Sequence, residues 1–121
     1  MKKVLIAEDS SVIQNLTKKI LQFQNYEIEA VKNGLDVLKF LETKRADVIL
    51  LDINMPVMNG IECIKQIRAN EDETISKIPV IAISGNAANY TLDYLLAVGF
   101  NEYLPKPINF DTLVETVKKY S

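Results

Sequence analysis

Val48-Ile49-Leu50-Leu51-Asp52 is four apolar residues stopped by a carboxylate. Val4-Leu5-Ile6-Ala7 stops in the same way at Glu8-Asp9, and Val80-Ile81-Ala82-Ile83 stops at Ser84. A fourth strand-like stretch, Phe100 to Leu104, runs into Pro105-Lys106. Short apolar runs bounded by polar residues suit fully buried strands. Amphipathic segments separate them. Strands alternating with helices indicate a mainly parallel sheet covered on both faces, and right-handed crossovers make it doubly wound. In a parallel sheet the C-terminal strand ends share one edge, and open α/β sheets bind ligands there.

Outward from these runs, the pattern predicts strands over 3–8, 26–31, 47–51, 79–83 and 100–104. It predicts helices over 11–23, 34–43, 87–98 and 109–120, and one opened by Gly60. Ser10 or Ser11 caps the first helix, whose inward stripe is read as Ile13, Leu16, Ile20 and Leu21. Val37, Leu38 and Leu41 face inward in the second, Ile61, Ile64 and Ile67 in the third, and Phe110, Leu113, Val114 and Val117 in the last. Tyr26 to Val31 alternates apolar and charged residues, as a less buried edge strand does. Asn70 to Lys77 reads as a solvated loop.

The chain has 121 residues, near the commonest size of one domain. Residues 1–121 are read as that domain, with no output domain after it. Fourteen basic and sixteen acidic residues give a net charge of -2, without the basic footprint of a nucleic-acid binder. Cys63 stands alone, so no internal disulfide forms and a reducing compartment is expected. The apolar run after Met1-Lys2-Lys3 is too short for a signal peptide. No window approaches the ~18 apolar residues of a membrane helix. The expectation is a soluble, cytoplasmic protein. There is no histidine, which excludes a Ser/His/Asp triad, imidazole metal sites and a phosphohistidine on this chain.

Glu8, Asp9 and Asp52 follow two runs that are expected to be neighbours. Two unit charges ~5 Å apart at an effective dielectric of ~20 repel by roughly 3 kcal/mol. Three such pairs approach ~10 kcal/mol, comparable with a domain's whole stability of ~5–15 kcal/mol. The cluster must hold a proton, pair with Lys106, or hold a cation. Oxygen donors without imidazole or thiolate suit a hard cation, and Mg²⁺ is the expected one.

With Glu8-Asp9, Asp52-Ile-Asn-Met-Pro-Val-Met-Asn-Gly60, Ser84 and Lys106-Pro107 in this order, the chain resembles the receiver domains of two-component response regulators over essentially its full length. The resemblance implies the (βα)5 flavodoxin-like fold with strand order 2-1-3-4-5. It implies that Asp52 is the phosphoacceptor, with Mg²⁺ held by Asp9, Asp52 and the Asn54 carbonyl, and by Glu8 through water. Ser84 and Lys106 would contact the phosphoryl oxygens, and the Lys106-Pro107 bond would be cis. Met55, Pro56, Met58 and Gly60 would shape the loop, Gly60 by adopting a backbone conformation other residues resist.

Tyr103 and Ser84 would form the switch. Ser84 stands where threonine is also common, and Gly85 where alanine is frequent, which implies a looser switch. Asn54 and Asn86 flank the site without an acidic group, which implies moderate to slow self-dephosphorylation. Tyr90 and Tyr94, read as outward on the fourth helix, would join Tyr103 in a partner surface. The donor would be a histidine kinase or histidine phosphotransfer protein, approaching near Ser11, Gln14 and Asn15. The output would be contact with an unidentified protein, without nucleic acid or membrane. The protein would not be an enzyme on an outside substrate.

Three other readings compete with this one. Asp52-Ile-Asn54 echoes the Asp-x-Asp of aspartyl-phosphate phosphatases but lacks the second aspartate. A flavin or nucleotide binder lacks a glycine-rich loop after the first strand. A receiver-like scaffold would signal without phosphorylation.

Overall fold

The computed structural model describes residues 1–85 and 90–121. The helix start predicted at 87 and the reading of Asn86 lie outside the described residues. In chain order the elements are β1 Lys3–Ala7, α1 Ser11–Phe23, β2 Glu27–Val31, α2 Gly34–Thr43, β3 Val48–Asp52, α3 Gly60–Arg68, α4 Glu73–Ser76, β4 Val80–Ser84, α5 Leu92–Val98, β5 Glu102–Pro105 and α6 Phe110–Tyr120. The five strands form one parallel sheet in the order β2-β1-β3-β4-β5. This is the doubly wound flavodoxin-like architecture.

Strand periodicity divides the core in two. Alternate residues of a strand face opposite sides. Leu5, Ala7, Ile49, Leu51, Val80 and Ala82 pack with Val37, Leu41, Ile64, Ile67 and Leu95 from α2, α3 and α5. Val4, Ile6, Val48, Leu50, Ile81 and Ile83 pack with Leu21, Leu113 and Val117 from α1 and α6. Every residue of β3 and β4 is buried, whereas β2, at the sheet edge, is not. The edge position accounts for its charged alternation.

Four local expectations need correction. The segment 70–77 is not wholly a solvated loop. Asp72 caps the short α4, which buries Ile75 against the core. One apolar residue among polar ones gave no period to read. In α1 the buried residues are Thr17 and Leu21, whereas Leu16 is 46% exposed. The inward stripe passes through Gln14, Thr17 and Leu21, so the apolar residues alone misplace the face. Helix α5 begins at Leu92, capped by Thr91, and Leu92 is half exposed.

Tyr90 therefore precedes the helix and is not an outward helical residue. It is partly buried against the core, while Tyr94 is exposed and the two rings stack with centroids 6.0 Å apart.

Candidate functional site

The β1–β3 pairing sets Ala7 level with Leu51, so the next residues, Glu8 and Asp52, leave the sheet side by side. Asp52 closes β3, Ser84 closes β4, and Lys106 follows β5. Glu8, Asp52 and Ser84 are 4%, 2% and 1% exposed, and Asp9 is exposed. One oxygen from each of Glu8, Asp9 and Asp52 lies within 4.8 Å of the others. Three carboxylates anticipated as neighbours do converge, and the crowding argument applies to them.

The Lys106 ammonium relieves part of this crowding. Nζ donates to Asp52 Oδ2 at 2.8 Å and to Glu8 Oε1 and Oε2 at 3.1 and 3.3 Å. Asp52 Oδ1 accepts the Asn54 backbone N–H at 3.1 Å. Burial pushes the Glu8 carboxyl up to about 8, helped by the hydrogen bond and charge of Asp52, and the ammonium only partly offsets them. Burial draws Lys106 down, but its hydrogen bonds and charge pairing with Asp52 and Glu8 outweigh that and hold its pKa above the usual lysine value. One ammonium among three carboxylates leaves the group net negative.

A divalent cation fits this group. The donors are all oxygen, the chain has no histidine, and Cys63 is buried elsewhere against the Gly34 carbonyl. Mg²⁺ prefers such a set.

The loop after β3 brings Asn54 beside Asp52 and returns to α3 at Gly60. A Cβ on Gly60 would stand 2.6 Å from the Asp52 carbonyl oxygen and 2.8 Å from Ile53 Cα. The glycine is required by this close approach. Its backbone is not in the left-handed region, which corrects the expected reason. Within the same loop Val57 has φ 68°, rare for a β-branched residue. The Lys106-Pro107 bond is cis.

Tyr103 is half-buried against the core, and its hydroxyl donates to the Ser84 carbonyl at 3.2 Å. The Lys106 N–H donates to that same oxygen at 2.9 Å. The aromatic ring and the lysine are thus tied to one peptide unit at the end of β4. Tyr90 and Tyr94 stand together on α5 and its N-terminal approach, away from the acids along the chain. Of the α1 residues read as open to a donor, Ser11 and Asn15 are exposed and Ser11 accepts a hydrogen bond from Lys32 at 3.0 Å. Gln14 is turned inward onto backbone carbonyls. Sequence reasoning missed this role. Its only sequence signal is the spacing of Gln14, Thr17 and Leu21 on one helix face.

Comparison with known proteins gives the same architecture. The family model of the response regulator receiver domain matches residues 4–118. The polar-differentiation response regulator DivK of Brucella anthropi is 32% identical over 98% of this chain and 95% of its own length. The CAI-1 autoinducer sensor kinase/phosphatase CqsS of Vibrio cholerae is 33% identical over 96% of this chain, which spans only 17% of that protein. Among solved structures, the receiver domain of sensor histidine kinase PA1611 from Pseudomonas aeruginosa has a TM-score of 0.88 at 29% identity, covering 98% of this chain and 96% of that one. That crystal structure holds a magnesium ion coordinated in the active site cleft.

Proposed function

The chain belongs to the response regulator receiver domains, and from that premise we propose that it accepts a phosphoryl group on Asp52 in a two-component phosphorelay. The single observation that carries this reading is the Lys106 ammonium bridging buried Asp52 and Glu8 at the sheet edge. Such an arrangement supports the reading, because phosphoryl transfer needs a nucleophile beside a compensating charge.

In this proposal Asp52 attacks phosphorus, an O–P bond forms, and the P–N bond to the donor's imidazole breaks. Lys106 follows the transferred oxygens as a flexible point charge, and Ser84, buried at the end of β4, would donate its hydroxyl to another. Asp9, Asp52, Glu8 and the Asn54 backbone would hold Mg²⁺. When bound, that ion neutralises charge on the transferring group.

The donor is a histidine kinase or histidine phosphotransfer protein, since this chain supplies no imidazole. An apolar groove of about 240 Å³ beside Lys106, lined by Val12, Leu16, Pro107, Ile108 and Phe110, supports approach from the α1 side. Switching runs through Ser84, which closes β4, and Tyr103 on β5, whose hydroxyl donates to the Ser84 carbonyl. The signal leaves by protein contact at Tyr103 and the exposed Tyr94, on whose ring the partly buried Tyr90 stacks, with no nucleic acid or membrane involved. The protein assists only its own phosphorylation and hydrolysis and turns over no outside substrate. A cytoplasmic setting suits its lone buried thiol. Among the described residues, no helix is long and apolar enough to cross a membrane.

The test is intact mass after treatment with acetyl phosphate and Mg²⁺. One phosphate adduct is expected on the parent and none on Asp52→Ala. An unmodified parent would leave the scaffold reading in its place.

A further inference from the structure

We propose that Gln14 is a positioning residue for the metal-binding acids, holding the Glu8–Asp9 peptide in place through its side-chain amide. The inference rests on the reading of this site as a Mg²⁺-dependent phosphoacceptor. Gln14 lies in the first turn of α1, and Nε2 donates to the Glu8 carbonyl at 3.0 Å and to the Val31 carbonyl at 2.9 Å. Val31 O also accepts the Glu8 N–H at 3.1 Å. These contacts close a ring through the ends of β1 and β2. Both N–H groups of the amide are used, and a flipped amide would set its oxygen against two carbonyl oxygens.

The consequence falls on Asp9. The Glu8 carbonyl belongs to the peptide unit shared with Asp9. Fixing that carbonyl fixes the direction in which the chain leaves β1. The Asp9 side chain is exposed and has no hydrogen bond or ion pair of its own among the described residues. Its place beside Glu8 and Asp52 is therefore set by backbone, and Gln14 holds that backbone. Glu8 needs the help less, because Lys106 already holds its side chain.

Charge counting and positioning predict opposite results for one substitution. Gln14→Glu adds a negative charge next to an acidic site, which by itself would tighten Mg²⁺ binding. It also places carboxylate oxygen against the Glu8 and Val31 carbonyls, which pushes the peptide away. Gln14→Met keeps the length and removes both donors without adding charge. Mg²⁺ affinity would be measured for the parent and both variants by titration calorimetry. The Asp9 amide resonance would be followed in parallel, and unfolding midpoints taken in EDTA.

Both variants are expected to bind Mg²⁺ about tenfold more weakly, as loss of an outer-shell partner typically does, with a shifted Asp9 amide before any metal is added. Unchanged affinity in Gln14→Met, or tighter binding in Gln14→Glu, would overturn the proposal. A lowered unfolding midpoint with parental Mg²⁺ affinity would likewise reduce Gln14 to a structural contact. A parent that binds no Mg²⁺ and forms no phosphate adduct would end the phosphoacceptor reading, and the role of Gln14 with it. A normal parent with an indistinguishable Gln14→Met ends the role of Gln14 alone.

Discussion

Glu8 carries the clearest physical signature of any single residue here. Its carboxyl, ordinarily near 4.5, is raised to about 8, first by burial and then by Asp52. Between those values the folded chain keeps a proton that the unfolded chain has released. Unfolding therefore releases a proton, and rising pH destabilises the fold across that window. Glu8→Gln removes the titrating group. In metal-free buffer, denaturant titration should find Glu8→Gln more stable than the parent near pH 8, with the gain shrinking toward pH 5. A gain that stays constant with pH would contradict the raised carboxyl. Gly85 offers a second test at this scale. Its backbone is not in the left-handed region, and an added Cβ would meet Lys106 Cβ at an ordinary 3.5 Å. Gly85→Ala should stabilise the protein by about 0.4–1 kcal/mol through the unfolded state, read as a higher thermal midpoint.

At the scale of elements, α1 shows how a helix can be recognised and still be rotated wrongly. Its boundaries and cap follow from Ser10 and the apolar spacing. Its inward face does not, because a glutamine and a threonine occupy it where apolar residues are expected. Leu21 is fully buried and Leu16 is not. Leu21→Ala should cost about 2–5 kcal/mol as a buried cavity forms. Leu16→Ala should stay within about 0.5 kcal/mol, as surface changes usually do. Equal losses in chemical denaturation would restore the apolar-stripe reading. On α5 the same reasoning failed for Tyr90. The helix starts only after its N-cap Thr91, beyond that residue, so helical phase says nothing about where its ring points.

For the whole molecule, the acids, the lysine and the ion they suit form one linked equilibrium. Three carboxylates around one ammonium leave a net negative pocket at the edge where β1, β3, β4 and β5 end. A cation bound only by the folded state stabilises it by mass action, and it requires Glu8 to lose its proton. Added MgCl₂ should therefore raise the thermal midpoint more near pH 8 than near pH 5. Removing Mg²⁺ with EDTA should reverse the gain, and the gain should be lost in Asp52→Ala. A pH-independent shift, as from general salt screening, would argue against binding at these acids.

The sequence by itself determined the strand runs, their polar stops and the alternation with helices. A period of two or 3.6 is a local property, and a buried strand has few ways to be spelled. The same runs determined which residues meet at the sheet edge, because parallel strands share their C-terminal ends. Tertiary structure alone decided that Lys106 divides itself between Asp52 and Glu8, and that Gly60 answers a clash with the Asp52 carbonyl. It alone decided that Gln14 closes a ring between the ends of two strands. Each of these is a contact between segments distant in sequence, set by side-chain reach and backbone approach, and no local pattern encodes such distances.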